Sequence, residues 1–128
     1  MKRFKILTLS LIFSIGLMQA KAQVNQLDKA IANVTDSYIG IKKALQLTDG
    51  LKAEEKAKEL LKDLTDFPVK SMNPEQARIW TKYAEPLKFD SRHISEVARV
   101  PHQKEHFANL TKNMHALLDG FKMNKEGI

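Results

Sequence analysis

Three of the four histidines fall between residues 93 and 106, and two of them, in His102-Gln-Lys-Glu105-His106, stand four residues apart. On a helix that spacing sets both imidazoles on one face, one turn apart, where they can share a divalent or copper ion. The same letters match the H-x-x-E-H pattern of inverted zinc peptidases, in which the glutamate acts as base. A hydrolytic zinc site needs a third protein ligand and a substrate cleft, and after His106 only Asp119 and Glu126 are acidic. The expectation is a non-enzymatic chain with His102 and His106 as candidate metal ligands; a zinc-dependent hydrolase using His102, Glu105 and His106 is the alternative. His93 can join the pair only if the chain folds back before Pro101. His115 lies about 180° around the helix from the pair's midpoint, so it cannot complete the site.

Other chemistries lack their residues. The chain has no cysteine, which removes thiolate chemistry, disulfides and a lipid-anchoring thiol. Its five methionines show no M-x-M or M-x-x-M spacing, and a Cu(I) site favours clustered sulfur. Met114 sits in an apolar stripe and reads as core filler. No nucleophile elbow, phosphate-binding loop or dinucleotide fingerprint occurs.

The elements that must position the histidines are legible in the apolar spacing. Leu27, Ile31, Val34, Tyr38, Ile41 and Leu45 repeat 4, 3, 4, 3, 4 and predict a first helix over about 25–47, ended by Thr48-Asp49-Gly50. Ala53, Ala57, Leu60, Leu61, Leu64 and Phe67 predict a second over 51–67, with Glu54, Glu55, Lys58, Glu59 and Lys62 on its solvated face. Asn73-Pro74 gives a third helix its cap and first residue. Trp80 continues its buried stripe, and Pro86 predicts a kink or break near Ala84 with a restart at Asp90 or Ser91. From Pro101, the seam of Phe107, Leu110, Met114, Leu117 and Phe121 forms the last helix, with Gly120 and Gly127 marking its end. The fold class expected is all-α, an antiparallel four-helix bundle.

The front of the chain is different. Residues 1–22 have a basic start at Lys2, Arg3 and Lys5, an apolar run from Ile6 to Met18, and Ala20-Lys21-Ala22. That order predicts a signal peptide cleaved between Ala22 and Gln23, leaving 23–128 as a single domain in the periplasm or outside the cell. The run is shorter than the ~20 residues a membrane-spanning helix needs, so no transmembrane anchor is expected in the mature chain. Four of the 21 basic residues and none of the 15 acidic ones lie in 1–22. The remainder therefore carries a net +2, and the basic isoelectric point is no argument for nucleic acid as a partner.

Tyr38-Ile-Gly-Ile-Lys-Lys-Ala-Leu45, Met72, Trp80 and Gln103-Lys-Glu-His-Phe107-Ala-Asn-Leu110-Thr111 resemble the bacterial helical family known as domain of unknown function 3347. The family hallmark resembles Gln-Arg-x-x-Phe-x-x-Leu-Ser, from which this chain departs at Lys104 and Thr111. The resemblance implies an exported helical domain, some of whose members are attached to or encoded near copper and silver efflux components. Many members end in a Cys-Pro-Met tail suited to soft metals; this sequence reaches Ile128 without one. The functional expectation is an exported binding or interaction module, accessory to copper-type metal handling, with a metal ion or an envelope protein as partner. A bundle that acts only through a protein partner is the remaining option.

Overall fold

The stripe that begins at Leu27 becomes the buried edge of a helix α1, Lys2–Gln46, in which Val34, Ile41 and Leu45 are lost from solvent. The structure, a computed structural model, describes the chain from Lys2 to Glu126 and its side chains from Met18 to Lys122. Helix α1 continues without interruption toward the N-terminus from the expected start near residue 25, so the predicted cleavage point falls within a helical stretch. The side chains of most of the predicted signal segment lie outside the described residues.

Helix α1 ends in a Schellman arrangement. Asp49 N–H reaches Ala44 O at 2.9 Å and Thr48 N–H reaches Leu45 O at 3.1 Å. The residue that takes the left-handed conformation is Thr48, with φ 54°. Asp49 then caps helix α2, Gly50–Thr65, by accepting from Lys52 N–H. Gly50 serves a different purpose: a Cβ there would stand 2.3 Å from Ala98 O, so the turn between α1 and α2 is packed directly against the end of the third helix.

Helix α2 buries Ala53, Ala57, Leu60 and Leu64 and leaves its charges outside, where Lys52 pairs with Glu55, Lys56 with Glu59 and Lys62 with Asp66. The hydrogen bond to Glu55 holds the Lys52 amine above its ordinary range, and Asp66 does the same for Lys62. A short 3-10 turn, Val69–Ser71, leads to helix α3, Pro74–Glu96. Its cap is Asn73 as expected, closed into a full capping box by Gln76.

Of the kink or break expected near Ala84, the break does not occur: α3 runs unbroken through Pro86 to Glu96. Pro86 and Lys82, whose carbonyl loses its donor, both lie on the exposed face. Water can therefore solvate that carbonyl while Ala84, Leu87 and Ile94 stay packed. Asp90 and Ser91 are accordingly interior positions of a continuous helix and not the start of a new one.

Helix α4, Val100–Glu126, completes the bundle. It passes through Gly120 without stopping, and Gly127 lies outside the described residues. Leu110, Met114, Leu117 and Phe121 are buried as the spacing required. Phe107 is half-buried and stacks on Tyr38 of α1 at 5.4 Å, and the Tyr38 hydroxyl donates to Thr111. Trp80 lies 4.2 Å from Phe67, which meets Phe121 edge-on at 6.1 Å. The described residues form four packed α-helices with no strand. Among the described residues, no helix is long and apolar enough to cross a membrane.

Candidate functional site

The three histidines become neighbours through the turn between α3 and α4. At Val97 the backbone leaves the helix for an extended conformation, and Pro101 in the first turn of α4 suits a new helix start but not a continued old one. The reversal is held by Gln103, which is fully buried. Its Nε2 donates to Ile94 O at 3.1 Å and to Gly50 O at 2.9 Å, tying the end of α3, the start of α4 and the start of α2 together. Ile94 O is one of the carbonyls that a helix end leaves without an intrahelical donor.

This clamp brings His93 back against the pair on α4. The ring centroids of His93 and His106 are 4.6 Å apart, those of His102 and His106 4.7 Å, and those of His93 and His102 6.5 Å. The fold-back on which His93 depended is thus present. His115 stays apart, 6.3 Å from the Tyr38 ring.

Two of the three rings are tethered through Nδ1. His106 Nδ1 is 2.9 Å from Asp90 Oδ1, and His93 Nδ1 is 3.1 Å from Phe89 O. A carboxylate and a carbonyl only accept, so in the neutral rings these bonds put hydrogen on Nδ1 and leave the lone pair at Nε2. His102 has no such tether. The ring of Phe89, half-exposed, lies 4.2 Å from His93 and 6.0 Å from His106 and walls one side of the cluster.

As they stand, the ligand atoms do not converge: among the described residues, no group of three or more His, Cys, Asp or Glu side chains could hold a metal ion. Capture of an ion therefore requires a rotamer change, and the untethered His102 on the first turn of α4 is the ring most free to make it. Glu105, the fourth member of the H-x-x-E-H letters, is exposed.

The carboxylate beside the histidines is Asp90, which the sequence reading assigned to a helix start. It is 4% exposed. Its signal was available: a charged residue within the apolar row of Leu87 and Ile94, three residues before His93, is buried only when paired.

At the other end of the bundle, Leu27, Ile31, Met72, Leu118 and Phe121 line an open groove of about 540 Å³, which contains none of the histidines. Searches of curated proteins and of solved structures returned no match. A family model does match residues 34–126, a span that includes Tyr38, Trp80, Asp90, the Gln103 clamp and the three clustered histidines, and the chain belongs to the family it describes, "Protein of unknown function (DUF3347)".

Proposed function

We propose that this protein is an exported, non-enzymatic helical module that takes up a transition-metal ion on the α3–α4 hairpin and serves metal handling in the cell envelope. His93, His102 and His106 are the ligands in this reading. The observation that carries it is the clustering of three imidazoles from two helices, two of them with Nδ1 bound to an acceptor so that Nε2 is left to ligate. Three imidazoles without thiolate suit Zn²⁺, Cu²⁺ or Ni²⁺ better than Cu⁺. A helical hairpin fixed by a buried carboxamide supplies a rigid base for two of the ligands, and the third closes over the ion. Export rests on the basic start, apolar run and Ala20-Lys21-Ala22 of the first 22 residues.

Calorimetric titration of the purified protein with Zn²⁺, Cu²⁺ and Ni²⁺ tests the metal site. One ion per chain is expected, with binding reduced in His93→Ala and in His106→Ala and unchanged in His115→Ala. Equal binding by the wild type and a His93, His102 and His106 triple alanine variant would overturn the assignment. Mass spectrometry of protein recovered from the envelope of an exporting host tests the address, with Gln23 expected as the first residue.

A further inference from the structure

The hydrogen bond between Asp90 and His106 couples a buried acid on α3 to a candidate ligand on α4. Asp90 is 4% exposed, and its Oδ1 lies 2.9 Å from His106 Nδ1. The neighbouring buried Ser91 bonds Leu87 O within α3, whereas Asp90 reaches across to α4. A carboxylate that accepts from the second nitrogen of a ligating histidine fixes the tautomer, holds the ring plane and makes the free nitrogen a better donor.

We propose that Asp90 is a positioning residue for metal capture: it keeps the hydrogen of His106 on Nδ1 so that Nε2 faces the ion, and it brings a negative charge beside the three imidazoles to offset that of the cation. The proposal rests on the metal reading given above. It also assigns an order to the site. His106, held by Asp90, and His93, held by Phe89 O, form the preset half, and His102 is recruited last.

Asp90→Asn separates this role from simple packing, because the amide has nearly the same shape but can donate to Nδ1 and so move the ring hydrogen to Nε2. Imidazole ¹⁵N spectra of the metal-free protein at about pH 8, where an ordinary histidine is neutral, read the tautomer without any ion. Hydrogen on Nδ1 of His106 in the wild type, moving toward Nε2 in Asp90→Asn, is the expected result. Hydrogen on Nε2 in the wild type overturns the proposal. Zn²⁺ titration of the same two proteins should show about 10–100-fold weaker binding in Asp90→Asn, with stoichiometry kept, and Asp90→Glu recovering part of the loss.

Equal affinity in wild type and Asp90→Asn overturns the positioning role while leaving the metal site intact. Absence of binding in the wild type overturns the metal reading, and the role in capture with it; the spectra then still show whether Asp90 sets the tautomer.

Discussion

Gln103 is no ligand candidate, yet it holds together the elements that carry the histidines. Fully buried, it donates to two backbone carbonyls on different helices, while its Oε1 has no partner among the described residues. Leucine at this position would fill similar space and remove the unpaired oxygen, but would leave the Ile94 carbonyl, in the last turn of α3, without its donor and cut the tie to the first residue of α2. A buried group left unsatisfied costs about 1–3 kcal/mol, so Gln103→Leu is expected to lose about 1–3 kcal/mol in urea unfolding. A loss below about 0.5 kcal/mol, the scale of a surface change, would contradict the clamp. The candidate ligands were legible at this scale, because a pair of histidines four apart on a helix announces itself. The burial of Asp90 was foreshadowed by its place in the row of Leu87 and Ile94, but its partner and the tether on His93 were not, since both depend on what the folded backbone brings together.

At the scale of elements, the apolar rows foretold each helix because burial demands the 3, 4 spacing. The departures were all at ends and interruptions. Pro86 was expected to kink or break α3; the helix is not broken, and the lost hydrogen bond falls on the exposed face, where water can replace it. The turn after α1 was read correctly as a stop, but the left-handed position belongs to Thr48 and the close approach to Gly50. These two residues give opposite predictions. Thr48→Gly relieves a β-branched residue of a left-handed backbone and should stabilise by about 0.5–1 kcal/mol after the entropy of the freer unfolded chain is counted. Gly50→Ala drives a methyl into the Ala98 carbonyl and should destabilise by about 1–3 kcal/mol. Thermal melts of the two variants check both signs, and a stabilising Gly50→Ala would show that the two turns do not meet as described.

For the molecule as a whole, an all-α bundle followed from composition and periodicity, and the family match over residues 34–126 agrees with the motif around Gln103 and Phe107. Less visible in the sequence was how the two helical turns share one end. The α1–α2 turn presses on the α3–α4 turn through Gly50 and Ala98, and Gln103 bonds across the same junction. The histidine cluster therefore stands on the end of the bundle where three helices are locked to one another. Such a base restricts His93 and His106 more than a loop would. Crystals grown with Zn²⁺ and examined by anomalous scattering at the zinc edge test this account most directly. A single strong peak bound by Nε2 of His93, His102 and His106 at about 2.0–2.1 Å from each is expected, with Asp90 still on His106 Nδ1. A peak elsewhere on the molecule, or coordination that leaves out His93 and His106, would contradict it.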